Sequence, residues 1–280
     1  MIITKISDGF GNQLFMYACG YAVSRQLNTE LWLDTTMLST NAERNLELTK
    51  LNIKYDKLIA VKDRKNSFFK KIERYWKQKQ MFSKCQIYKE NSPYIFDEKI
   101  FNVSENTYIS GYWQSEKFFK KYSEELKQMF TPKYQMSSGC REYIRQVSSC
   151  NSVAVHVRRG DYNKIGICIN EEYYHKAIKK IMNQVDNPIF FVFSDDIDAA
   201  KKVLNIENAN FIYVKYESSN STLDDFFILK LCKHQIIANS TFSWWAAWLN
   251  DNENKQVICP EYKYWKGDFY PEEWIKIKCE

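Results

Sequence analysis

Much that would mark a metal-binding, secreted or membrane-spanning protein is missing from this 280-residue chain. Its eight cysteines include no C-x-x-C pair, which argues against a zinc ribbon or a thioredoxin-type redox site. No stretch is long and apolar enough to span a bilayer. The chain opens on a short strand and a polar turn, not on a basic segment followed by a long apolar run, so no secretory signal is read. Free thiols in a reducing cytoplasm are the expectation. The N-x-S/T triplets at Asn102, Asn220 and Asn239 then read as chance matches to a glycosylation signal. Neither an internal repeat nor a low-complexity tract is present.

What remains is ordinary in bulk and rich in aromatics. Hydrophobic residues are 45% and charged residues 26%, a soluble globular composition long enough for one large domain or two ordinary ones. Aromatics reach 16%, enough for a well-filled core and for surfaces that stack on sugars or bases. The net charge of +6 favours anionic ligands or surfaces without choosing among nucleotide, nucleic acid and membrane. Residues 62–89 concentrate that charge, with ten Lys or Arg against Asp63 and Glu73. Phe68, Phe69, Ile72, Tyr75 and Trp76 fall there at helical spacing. The segment reads first as a helix packed on its domain, and second as a peripheral contact with an anionic membrane. No recognition motif supports nucleic acid as the partner.

Strand, glycine turn and helix open the chain. Ile2–Ile6 is an expected strand and Leu31–Asp34 the next, with a helix between through Leu14, Phe15, Ala18, Ala22 and Leu27. Gly9 and Gly11 have G-x-G spacing but lack the third glycine of a dinucleotide fingerprint, so alone they mark only a tight turn. Thr107–Gln114 reads as a strand ending in an aromatic, polar loop. A helix with Phe118, Phe119, Tyr122, Leu126, Met129 and Phe130 on its apolar face follows. The polar run Gln135–Gly139 precedes one more helix and suggests two domains, 1–150 and 151–280. Beyond it, strand and helix alternate, which means a parallel, doubly wound sheet. Its expected strands lie at 153–157, 188–193, 211–214, 235–238 and 256–260, the last of them closing the sheet.

Three strand ends carry the chemistry. Val153, Val155 and Val157 alternate on one face, leaving His156 and Arg158 on the other, and Arg159, Gly160 and Asp161 follow at a turn. Ser194, Asp195 and Asp196 end another strand, and Asn239, Ser240 and Thr241 a third. One parallel sheet brings all three to its carboxyl edge, where α/β folds bind ligands. Arginine there suits a phosphate or carboxylate, although Arg158 or Arg159 paired with Asp161 on the surface is the plain alternative. Ser240 and Thr241 at a helix start offer amides, hydroxyls and the positive end of the dipole to a phosphate, or serve as an N-cap alone. Asp195 suits a nucleobase or ribose, or caps a helix. Asp195 and Asp196 with no further ligand nearby make a weak metal signal. The expectation is a phosphate-containing ligand on the carboxy-terminal domain. A second α/β domain faces it, and the cleft between them takes another substrate.

His156-Val157-Arg158-Arg159-Gly160-Asp161-Tyr162 resembles the His-x-Arg-Arg-x-Asp-Tyr motif of the glycosyltransferase family 11 α-1,2-fucosyltransferases. Gly9-Phe10-Gly11-Asn12-Gln13-Leu14-Phe15 and Asn239-Ser240-Thr241-Phe242-Ser243-Trp244-Trp245 also look like that family, so the likeness covers nearly the whole chain. It departs at Asp8-Gly9-Phe10, where the family usually reads Gly-Gly-Leu. The resemblance implies a GT-B fold of two Rossmann-like domains, 1–150 on the acceptor side and 151–280 on the donor side. It implies inverting transfer from GDP-fucose to the 2-hydroxyl of a galactose-terminated glycan, with no metal or other cofactor. It is similar to the bacterial branch of lipopolysaccharide or capsule synthesis, so a cytoplasmic enzyme, peripheral at the inner membrane face at most, is implied. Arg158 and His156 are implied at the leaving diphosphate, with Arg159, Asp195, Asn239, Ser240, Thr241, Phe242 and Ser243 around the donor. Gly11, Asn12 and Gln13 are implied on the acceptor side. Asp161 is the first choice of base, with Glu171 and Glu172 behind it, while His175 and His234 read as structural. Two alternatives stay open: transfer of another GDP-sugar, and a non-catalytic, basic, aromatic-rich protein that binds anionic polymer.

Overall fold

A computed structural model describes residues 1–38, 45–60, 83, 85–265 and 267–279, with the side chains of Asp161 and Lys164 left out. The aromatic helix expected at 68–76 lies outside the described residues. The described residues divide into two units. The first is Met1–Tyr134 with Lys266–Phe269, and the second is Gln135–Trp265 with Tyr270–Glu280.

In the first unit, β1 (Ile2–Lys5), β2 (Leu31–Asp34), β3 (Lys57–Ile59), β4 (Gln86–Lys89) and β5 (Thr107–Ser110) form a parallel sheet in the order β3-β2-β1-β5-β4. Between β1 and β2 runs α1 (Phe10–Gln26), apolar on nearly every side and buried along most of its length. Such a helix is held by its packing. Gly20 permits close approach to the sheet, since a Cβ there would lie 2.8 Å from the Cβ of Thr4. The helix expected from Phe118 starts late. Two 3-10 turns, Glu116–Phe118 and Lys120–Tyr122, come first, because Phe119 between them takes an extended φ of −142°. Only then does α2 (Ser123–Met129) begin.

The division falls at Tyr134/Gln135, at the polar run, and not at 150/151. The reason is α3 (Ser138–Ser149), which belongs to the second unit. Ser137 caps it and donates 2.7 Å to Asp224, while Gly139 packs so tightly that a Cβ would lie 2.7 Å from that of Tyr216.

The second unit alternates as its sequence suggests. Its elements are β6 (Ser152–Val157), α4 (Gly160–Ile165), α5 (Glu171–Met182), β7 (Ile189–Ser194), α6 (Ile197–Val203), β8 (Asn210–Tyr213), α7 (Ser221–Leu231), β9 (His234–Ile236), α8 (Thr241–Trp248) and β10 (Val257–Glu261). A further strand, β11 (Ile275–Lys278), lies beyond the one expected to close the sheet. All strands are parallel, in the order β11-β10-β9-β6-β7-β8. The chain winds outward from β6 through β7 to β8, then returns to the other side of β6 as β9. Direction therefore reverses between β6 and β9, which makes their carboxyl ends a topological switch point. Central β6 is buried throughout, as a parallel strand covered on both faces should be. Burying an apolar side chain there contributes roughly 1.5–3 kcal/mol.

Candidate functional site

The switch point gathers two of the three predicted strand ends, and β7 brings the third alongside. His156 is the last-but-one residue of β6 and is 6% exposed. Its ring lies 5.6 Å from that of Phe242 in α8. Burial, reinforced by Arg158, drives its pKa down to about 3, so the imidazole is neutral near pH 7. Its Nδ1 is buried without a hydrogen-bond partner among the described residues.

Arg158 and Arg159 follow β6 and are organised by Asp195, at the end of adjacent β7. The Arg158 Nε lies 3.2 Å from Asp195 Oδ2, and the Arg159 amide donates 2.8 Å to Asp195 Oδ1. Both carboxylate oxygens thus hold the arginine loop. The nucleobase or ribose contact expected of Asp195 competes with that work. Gly160 lets the loop close on it, since a Cβ would sit 2.8 Å from Oδ2. The Arg158 guanidinium lies 5.3 Å from the Tyr162 ring centre, and Tyr162 donates to the Asn239 carbonyl at 3.1 Å. The Arg159 Nε is buried without a hydrogen-bond partner among the described residues.

Across the switch point, Asn239 donates 2.8 Å to the Ile167 carbonyl, while its Oδ1 is buried without a partner among the described residues. Ser240 occupies the N-cap position of α8, yet no side chain caps this helix. The first-turn amides of α8 are therefore unclaimed by a cap, and the N-cap alternative for Ser240 does not hold. Ser243 donates to the Ser240 carbonyl at 3.3 Å. Trp244, Trp245 and Trp248 anchor the rest of α8 in the core, fixing where its first turn lies.

Other predicted residues stand elsewhere. Gly160 begins α4 and does not merely end the strand, so Asp161 lies in a helix. The Asp161 side chain lies outside the described residues. Asp196 caps α6 through Ala199. Glu171 and Glu172 open α5, and Glu172 is exposed and paired with Lys176. His175 meets the Val203 carbonyl, and the His234 Nδ1 accepts from the Gln256 amide, so both are structural. Among the described residues, no group of three or more His, Cys, Asp or Glu side chains is arranged to hold a metal ion.

In the first unit, Gln13 is 1% exposed and its amide is fully used. It donates to the Asp8 and Asn45 carbonyls and accepts from the Glu47 amide. Gly11 is buried beside it, while Asn12 accepts from Gln114 at 2.9 Å. Asp8 has φ +65°, in the left-handed region. Its Oδ2 accepts from Ser7 and Tyr112.

Two parallel α/β units, the second with an open phosphate-type cradle at its switch point, are the GT-B architecture of glycosyltransferases. The same fold occurs in Arabidopsis thaliana FUT1, solved as a mutant in complex with GDP (TM-score 0.51, 12% identity, covering 92% of this chain and 70% of that one). The chain belongs to Glycosyl transferase family 11, whose profile matches residues 1–278. It is 32% identical to an Escherichia coli alpha-1,2-colitosyltransferase, covering 99% of both chains. It is 29% identical to the Escherichia coli O-antigen biosynthesis glycosyltransferase WbnK, covering 94% of both. A Bos taurus galactoside 2-alpha-L-fucosyltransferase is 27% identical over 50% of this chain and 41% of its own. This chain is a glycosyltransferase. No described helix is long and apolar enough to cross a membrane.

Proposed function

We propose that this enzyme transfers fucose from GDP-fucose to the 2-hydroxyl of a terminal galactose, with inversion at the sugar carbon, in building an O-antigen, capsule or similar glycan. The cluster at the switch point is the observation that carries this reading. Three buried polar atoms there, His156 Nδ1, Arg159 Nε and Asn239 Oδ1, lack partners among the described residues beside an uncapped helix. Leaving such groups unmet costs about 1–3 kcal/mol each. A diphosphate would meet the donors among them.

In this reading the acceptor oxygen attacks the anomeric carbon as the bond to the diphosphate breaks. Arg158 and the first amides of α8 stabilise the charge that develops on the leaving group. Neutral His156 hydrogen-bonds the donor and does not act as a cation. Asp161 takes the acceptor proton. Arg159, Ser240, Thr241, Phe242 and Ser243 complete the donor side, and Gly11, Asn12 and Gln13 frame the acceptor side. The protein supplies the positive charge, with no metal or other cofactor in the scheme. Work at the inner membrane face fits an acceptor assembled there.

A second reading, colitosyl transfer, is favoured by the relative at 32% identity. Competition between GDP-fucose and GDP-colitose on a β-galactoside acceptor decides it. Preferred transfer of fucose, 1,2-linked, supports the first reading, and preferred transfer of colitose the second. Transfer from neither, with GDP binding intact, rejects both.

A further inference from the structure

The first unit holds a cavity at the amino edge of its sheet, the edge opposite to Gly11, Asn12 and Gln13. It has a volume of about 710 Å³, within the range of small-ligand sites. The amino ends of β1 and β2, the carboxyl end of α1, the segment ahead of β3 and Glu125 of α2 surround it. Its walls are held from behind. The Thr29 amide donates to the Ser24 carbonyl at 3.0 Å and closes α1 through Asn28, whose φ of +49° is the left-handed turn that ends many helices. The Tyr17 hydroxyl accepts from the Lys54 amide at 3.0 Å and donates to the Lys54 carbonyl at 2.8 Å, which pins the segment carrying Tyr55 and Asp56.

Three carboxylates line the cavity, each fixed through one oxygen and open at the other. Glu30 Oε2 accepts from the Trp32 indole at 3.0 Å, Asp56 Oδ2 from the Leu31 amide at 2.8 Å, and Glu125 Oε2 from the Tyr21 hydroxyl. Their second oxygens have no partner among the described residues, and neither do the Lys54 ammonium, the Asn28 side-chain amide and the Tyr55 hydroxyl. Arg25 is held only by a 3.8 Å ion pair with Glu125. Two cationic side chains against three carboxylates do not draw in a phosphate, and the carboxylates are not gathered to hold a metal ion. An apolar molecule would strip water from these groups without replacing its hydrogen bonds. Acceptors and donors set side by side, with Tyr55 38% exposed among them, suit the hydroxyls and the C–H face of a sugar.

We propose that this cavity is a second glycan site, which holds a neutral sugar of the acceptor chain remote from the reacting galactose. About 20 Å of helix separates Asn12 from Arg25, at about 1.5 Å per residue, so the site engages long acceptors and leaves short ones untouched. Tethering at one end raises the effective concentration of the other end at the transfer site. The assignment rests on the glycan-acceptor reading above for what the far end of the chain does, and on the cavity alone for sugar binding.

The test uses the full chain with lactose and with a linear poly-N-acetyllactosamine of eight sugars that ends in galactose. Binding is read by ligand-observed NMR, and transfer from GDP-fucose by steady-state kinetics. Wild type is expected to bind the octasaccharide about tenfold more tightly than lactose, the worth of one or two added hydrogen bonds, with KM following. Asn28→Gly keeps the left-handed backbone and removes only the side-chain amide. Combined with Tyr55→Ala, it is expected to bring that ratio close to one while lactose binding and kcat hold. A double variant that melts cooperatively and keeps the wild-type ratio overturns the second site and leaves the transferase reading intact. A wild type that binds both glycans equally also overturns it. If neither glycan is fucosylated, yet the octasaccharide preference is present in wild type and lost in the variant, the galactoside reading falls and the glycan site stands.

Discussion

The two sheets end differently at their carboxyl edges. In the first unit most polar groups answer one another: Gln13 is saturated, Asn12 meets Gln114, and Asp8 accepts from Ser7 and Tyr112, and the Trp113 Nε1 alone stays buried without a partner among the described residues of this edge. In the second unit Arg159, His156 and Asn239 each keep a buried atom without a partner among the described residues, and α8 starts uncapped. Both edges follow from strand, turn and helix, so topology alone does not separate them. The contrast lies in hydrogen-bond accounting. A largely satisfied edge is a frame that holds its shape unaided, whereas one with several orphaned groups clustered beside an uncapped helix is completed by something it binds.

Arg158→Ala should break the second edge most severely. It is expected to lower kcat by about 10²–10³, as loss of a donor to developing charge does, with the melting temperature nearly unchanged. Asp195→Asn keeps an acceptor for the Arg159 amide but loses the ion pair, and a tenfold to hundredfold fall in transfer is expected, read in steady-state assays.

A milder test acts through His156. Its folded pKa, about 3, lies below the unfolded value near 6.5, so the folded state binds fewer protons between the two. Stability from this group is full above about pH 6.5 and is lost as pH falls toward 3. Denaturant titrations of wild type should weaken across that window more steeply than those of His156→Asn. Equal slopes would remove His156 as the cause.

The first edge should respond in stability and spare the donor. Gln13→Ala is expected to cost about 2 kcal/mol by orphaning the groups it ties together, while GDP affinity persists in the folded fraction. Asp8→Gly should have the smallest effect. Relief of the left-handed backbone, worth about 1–2 kcal/mol, offsets the lost contacts with Ser7 and Tyr112. A few-fold change in acceptor KM at constant GDP affinity is expected. Altered GDP affinity would blur the contrast between the edges.

How much of this could be read beforehand depends on the range of the interaction involved. Local alternation revealed α1, β2, β6, β7 and the carboxyl-edge positions of His156, Arg158, Asp195 and Ser240. Edge strands β3 and β4 are three or four residues long and carry no clear apolar alternation. Ile275–Lys278 does alternate, and that signal was there to be used. The missing cap of α8 is invisible in Ser240-Thr241, which spells a good N-cap, because only packing decides where a hydroxyl points. The hold of Asp195 on Arg158 spans 37 positions and exists only because β6 pairs with β7.

Hydrogen exchange with and without saturating GDP compares the two edges most directly. The account predicts strong new protection at residues 158–163 and in the first turn of α8, at 241–244, exceeding any change at residues 8–13. Protection concentrated at residues 8–13 and 111–114, with α8 unchanged, would contradict it.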